Sequence, residues 1–183
     1  VTPTDESALY VAFMGHADAT AERLVGLHAR LLAGELSREQ FIALAAALVG
    51  RAQAQAYALA DLSLAAWVTA QTGTAAPTLG LLASVNVDRL RDGLTTLISV
   101  VDHDEPGPRV ARYGRAETAG AFQDAYSDGM RSRPEVGGYT RRLNVAACEL
   151  CHWLYRDGYV WAASKPFHRH PGCGCHPEPV LAL

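Results

Sequence analysis

All four cysteines of the chain fall in its last fifth, as Cys148-Glu-Leu-Cys151 and then as Cys173-Gly-Cys175, just behind His170-Pro-Gly. Thiols gathered in this way suit a tetrahedral zinc ion, because thiolate and imidazole are preferred zinc donors and a C-x-x-C pair brings two sulfurs to one ion from a single tight turn. The candidate ligands are Cys148, Cys151, His170, Cys173 and Cys175, one more than a tetrahedral ion accepts, with His152, His168 and His176 nearby in reserve. Cys148 and Cys151 are the firmest. His170, Cys173 and Cys175 compete for the remaining two places.

Other uses of the thiols rank below a structural zinc. Two disulfides would also consume four cysteines, but Val1-Thr-Pro-Thr-Asp-Glu6 lacks the basic and then apolar stretches of a secretory signal, so a disulfide framework is not expected. A redox C-x-x-C usually opens a helix after a strand in a thioredoxin-like unit, and no βαβ pattern surrounds Cys148. A catalytic zinc needs an open coordination position and a base beside it, and Glu149 is the one acid inside the pair.

A chain of 183 residues with 49% hydrophobic content can build one core, or a helical body with a small appendage. Its apolar stretches are broken by Arg, Gln, Asp and His too often for a membrane span, so a soluble chain is expected. The net charge of -3 conceals an asymmetry: twelve acids face six arginines up to Pro106, whereas ten Arg or Lys face seven acids from Gly107 onward. The Arg-containing C-terminal half is therefore a candidate for DNA contact, set against the plainer alternative of a solvated surface.

The chain reads as mainly α, with a long helical hairpin and further helices followed by a small, zinc-stapled, β-containing knob at the C-terminus. Thr2-Pro3-Thr4-Asp5 can open the first helix, whose stripe runs through Leu9, Phe13, Ala17, Thr20, Leu24, Leu27 and Leu31 to a stop at Gly34. Ser37-Arg-Glu-Gln40 is a capping box, and the helix it starts is expected to bury Phe41, Leu44, Leu48, Ala52, Leu59 and Leu62. With only about three residues between them the two should form an antiparallel hairpin. Its many alanines allow close packing, within the chain or against a partner. His16 and His28 have no second ligand at metal spacing and read as packed or surface histidines.

Ser84 or Asn86 can cap a third helix through Leu90, Leu94, Leu97 and Val101, and Asp102-His-Asp-Glu105 with Pro106-Gly-Pro108 reads as a solvated linker. This gives a helical region at 1–106 and a second region at 107–183. A fourth helix is expected from Arg109 to about Arg131, burying Ala111, Thr118, Phe122, Ala125, Tyr126 and Met130. Arg115 and Glu117 have no opposite charge three or four residues away, so both are expected to be solvated unless another segment pairs with them. Residues 139–145 suit a strand, Asp157-Gly158 a turn and 159–163 a short strand. The proline-rich end, from Pro166 to Pro179, is expected to be mostly irregular, with its path fixed by metal ligands. So small a knob buries too little to be stable alone, and metal binding can supply the difference.

Arg115-Ala-Glu-Thr118, Cys148 with Cys151, Asp157-Gly158 and His170-Pro-Gly-Cys-Gly-Cys175 follow one another in an order that resembles the MuF-like minor capsid proteins of phage head morphogenesis. The likeness covers 112–180. Ala116 stands where the family usually has Thr, and Gly174 where it often has Arg. The resemblance implies a structural, non-enzymatic virion protein of the capsid interior or portal vicinity, present in the host cytoplasm during assembly and partnered by the portal or major capsid protein. The region before Asp104 would then dock on the portal or inner shell. Two functions of other classes stand beside it: a zinc-dependent nuclease or capsid-processing hydrolase using Glu149 with His152 or His168, and a helical adaptor for a protein partner.

Overall fold

The computed structural model describes residues 8–100, 106–144, 147–170 and 172–182. Helices α1 (Ala8–Leu32), α2 (Arg38–Thr72), α3 (Val87–Val100) and α4 (Pro106–Arg131) are followed by strand β1 (Val136–Arg142), helix α5 (Glu149–Tyr155) and strands β2 (Trp161–Ala162) and β3 (His176–Leu181). The protein is thus mainly helical, with a small antiparallel sheet near the C-terminus, as its sequence predicts. It divides into two compact units, Val1–Ala56 with Ser84–Ala119, and Tyr57–Ala83 with Gly120–Leu183. Neither is a continuous stretch of chain, in contrast to a partition at 106/107. Long helices with apolar positions along their whole length can serve two cores, and α2 and α4 each contribute to both units.

In the first unit α1 and the first half of α2 form the expected antiparallel hairpin. Gly34, at φ 74, ends α1 in the left-handed conformation that glycine adopts without a Cβ penalty. Around it Gly34 N–H reaches Leu31 O at 3.1 Å and Glu35 N–H reaches Arg30 O at 2.9 Å, which satisfies carbonyls left over at the helix end. The capping box forms reciprocally: Gln40 N–H donates to Ser37 Oγ (3.1 Å) and Ser37 N–H to Gln40 Oε1 (2.8 Å). Asn86 caps α3, its Oδ1 accepting Arg89 N–H at 2.9 Å. The core gathers Leu24, Phe41, Ala45, Val49, Leu90 and Leu94, all at 0% exposure. His28 is buried edge-on against Phe41, and burial holds its imidazole below the usual histidine range. The opening cap at Thr2–Asp5, Val101 and the 102–105 cluster lie outside the described residues.

Three expectations need correction. The inner face of α2 is Phe41, Ala45, Val49, Ala52, Ala56, Ala60 and Leu64, whereas Leu44 and Leu62 are 45% and 53% exposed. The repeat is as expected but rotated by about one residue, because the narrow alanine face lets a neighbour approach more closely than the leucines would. Pro106-Gly-Pro108 is the first turn of α4 rather than linker. A first-turn proline gives up an N–H that has no intrahelical partner. Arg115 and Glu117 are paired across the fold: Arg115 Nε lies 2.6 Å from Asp18 Oδ1, and Glu117 takes both terminal nitrogens of Arg89 (2.9 and 2.5 Å) and Gln53 Nε2 (2.8 Å).

The second unit contains the remainder of α2 and α4, the sheet and α5. Buried Asp61 ties the loop after α2 to its helix by accepting the N–H groups of Leu79, Gly80 and Leu81 at 2.9, 2.7 and 3.1 Å. Buried Arg133 lies 3.8 Å from the same carboxylate and donates to Pro77 O. The sheet order is β2-β1-β3, antiparallel throughout. The proline-rich end is irregular through its described residues up to Cys175, as expected, but its last part is a strand: Pro177 and Pro179 lie within β3, opposite Arg141 and Tyr139. Edge strands tolerate proline, whose missing N–H can face away from the ladder, and β3 is an edge.

Candidate metal centre

Cys148 is the residue before α5, with extended backbone (φ -80, ψ 168), and Cys151 follows in the first helical turn. After α5, Arg156, Asp157 and Gly158 take φ values of 45, 53 and 85, so the expected Asp-Gly turn is a left-handed reversal that sends the chain into β2. The second ligand segment is fixed by another tight turn. Cys173 N–H donates to His170 O at 3.0 Å, and Gly172 sits in it at φ 80. That places glycine at the third turn position, where a side chain would be strained. Gly174 has its own reason: a Cβ there would lie 2.5 Å from Asn144 Nδ2 and 3.2 Å from Asn144 Cγ.

All five predicted ligands meet, in two groups that share one residue: Cys148, Cys151 and His170, and Cys151, Cys173 and Cys175. His170 Nε2 lies 3.2 Å from Cys148 Sγ and 3.3 Å from Cys151 Sγ, and Cys151 Sγ is 3.5 Å from Cys173 Sγ. Zinc with Zn–S about 2.3 Å and Zn–N about 2.0 Å would set tetrahedral edges of about 3.8 Å between sulfurs and about 3.5 Å between sulfur and nitrogen. The separations in the structure are within a few tenths of an ångström of those edges. All four cysteines are free thiols, and Cys151, Cys173 and Cys175 are buried while Cys148 is exposed.

The thiols differ in acidity. The Cys173 thiol is pushed down to about 5, chiefly by a hydrogen bond from Cys175, whose own thiol is raised by the same bond. Burial pushes Cys151 up to about 11, and the backbone N–H of Cys151 holds Cys148 below the usual thiol range. Cys173, the thiol pushed down furthest, is a ready first ligand for a soft or borderline cation.

Groups outside the ligand set hold this arrangement. Gln123 of α4 donates through Nε2 to the carbonyls of Cys175 (2.6 Å) and Cys173 (3.4 Å), and Asn144 N–H lies 3.5 Å from Cys175 Sγ. Arg141 of β1 reaches the sulfurs of Cys151 and Cys173. Sequence reasoning missed all three. Only Arg141 left a trace: strand alternation puts it on the same side as buried Tyr139, an unusual place for a cation. Of the reserve ligands, His152 and His168 are exposed, and neither they, Glu149 nor His176 belongs to the two groups found among the described residues. Burial pushes the His176 imidazole down to about 3, so it is neutral in the sheet.

The donors, their spacing and their supporting hydrogen bonds fit a bound metal ion. No protein-family model, curated protein or solved structure matches the chain. Among the described residues no helix is long and apolar enough to cross a membrane.

Proposed function

We propose that the chain is a structural protein whose second unit is stapled by one zinc ion, and that it serves as a minor component of a phage head at the portal or inner capsid. The observation that carries this reading is the meeting of Cys148, Cys151 and His170 with Cys173 and Cys175 at one place. Residues so far apart in the chain converge where a metal can fix both a helix start and the segment leading into an edge strand. The donor set favours zinc, since sulfur with imidazole at tetrahedral spacing suits that ion better than the oxygen-seeking cations. The ion's work here is to hold the chain, and the residues Glu149, His152 and His168 that a hydrolase would need are exposed and outside the ligand groups. The capsid assignment rests on the order of motifs in 112–180.

The assignment is tested by producing the full chain with the portal and major capsid proteins encoded in its own genome. Co-purification with portal rings, or incorporation into proheads, is the expected result. A full-length, metal-loaded chain that associates with neither protein would defeat the capsid assignment while leaving the metal centre standing.

A further inference from the structure

Arg141 is a buried cation whose neighbours are two sulfurs, a carbonyl and an aromatic ring rather than a carboxylate. It lies in β1 at 3% exposure, with its Nη1 3.7 Å from Cys151 Sγ and 3.9 Å from Cys173 Sγ. Its Nη2 donates to His168 O, and its guanidinium carbon stands 4.1 Å from the centre of the Phe167 ring. Among the described residues it is in none of the ion pairs, whereas its strand neighbour Arg142 reaches Glu178 at 3.4 Å. Burying a guanidinium is costly unless an opposite charge is buried with it. A carbonyl and an aromatic face supply only partial charge, so the remainder has to come from the two sulfurs the guanidinium reaches.

The sulfurs can supply the rest if the ion they hold leaves them an excess of negative charge. A divalent ion with two thiolates and two imidazoles is neutral as a whole. With three thiolates and one imidazole it carries one negative charge, and with four thiolates it carries two. We infer, building on the metal centre proposed above, that Arg141 is the positioning and charge-balancing partner of a net-negative centre, and that this centre contains at least three thiolates. A set of three cysteines and His170 matches the single charge of Arg141. The contact falls on the Cys151–Cys173 edge, the link between the two ligand groups, so the guanidinium also fixes how those groups approach each other.

The test uses the full-length chain loaded with zinc alone. Zinc K-edge X-ray absorption counts the sulfur ligands: three or more sulfurs around the ion are expected, and two would overturn the inference while leaving the metal centre intact. In competition with a chromophoric chelator, Arg141→Met should bind zinc about ten- to a hundredfold more weakly, the range typical of lost outer-shell partners. Its cobalt(II) form should show a displaced thiolate-to-metal absorption band, and Arg141→Lys should recover most of the affinity. Arg142→Met is the control and should bind as the parent does. Unchanged affinity and bands in Arg141→Met, or an equal loss in Arg142→Met, would overturn the assignment. If Arg141→Met does not fold, the sulfur count on the parent chain decides. A parent chain that binds no zinc would defeat the metal centre and this inference together.

Discussion

Cys151 is the residue on which the second unit turns. It belongs to both ligand groups, it is buried, and it contacts Arg141, His170 and Cys173. Cys151→Ser should therefore abolish stoichiometric zinc after dialysis, whereas Cys148→Ser, at an exposed position, should bind more weakly but still detectably; metal content per chain measures both. Equal retention in the two variants would contradict a shared vertex. A different residue sets the acid behaviour of the first unit. Because burial lowers the pKa of His28, the unfolded chain takes up its proton more readily, so this contribution to stability is present above the ordinary histidine value of 6.5 and is lost as pH falls below it. Denaturant unfolding at a series of pH values should show a shallower acid decline for His28→Gln than for the parent chain, and parallel curves would contradict the sign. At this scale the sequence was informative about chemistry but not about partners. The five ligand candidates could be named from spacing, while Glu117 looked unpaired because Arg89 and Gln53 reach it from residues far away in the chain.

Elements were legible where local chemistry decides them and obscure where packing does. Ser37 with Gln40, Asn86 and Gly34 announced helix ends through side-chain caps and a left-handed stop, and each forms as read. The inner face of α2 could not be assigned in the same way, since its leucines promised more buried area than its alanines and only the neighbouring helices select the narrower side. β3 was hidden by its prolines, which argue against a strand until its edge position is known. The sheet also contains a glycine with a steric reason for its identity. A Cβ at Gly138 would collide with the backbone carbonyl of Trp161 and come within 3.0 Å of Val160 Cγ1, and a backbone atom cannot swing aside as a side-chain tip can. Gly138→Ala should cost about 1–3 kcal/mol, as overpacked sites do, and should loosen β2 from β1. Equilibrium unfolding followed by tryptophan fluorescence, which reports on Trp161, measures it; a fully stable variant would mean that β2 is not held as described.

For the whole molecule, what the sequence did not reveal was that each unit is made of two separate stretches of chain. Both draw on α2 and α4, and no composition shift marks a helix that serves two cores. The metal centre, by contrast, could be foreseen, because cysteine spacing is a local signal for a long-range contact. It matters energetically as well. Structural zinc in small metal-dependent domains binds with an apparent free energy on the order of 10 kcal/mol, comparable with the ~5–15 kcal/mol that stabilises an entire domain. Segment 148–175, whose regular structure among the described residues is the short helix α5 and the two-residue strand β2, should then depend on the ion for its path. The most direct measurement is zinc content of the purified full-length chain together with its response to a strong chelator, followed by tryptophan fluorescence, thiol reactivity and proteolysis at Lys165. One zinc per chain is predicted, and its removal should expose the four thiols, change the tryptophan signal and open the Lys165 segment to cleavage. A zinc-free chain with the same protected thiols, fluorescence and protease resistance would contradict the account.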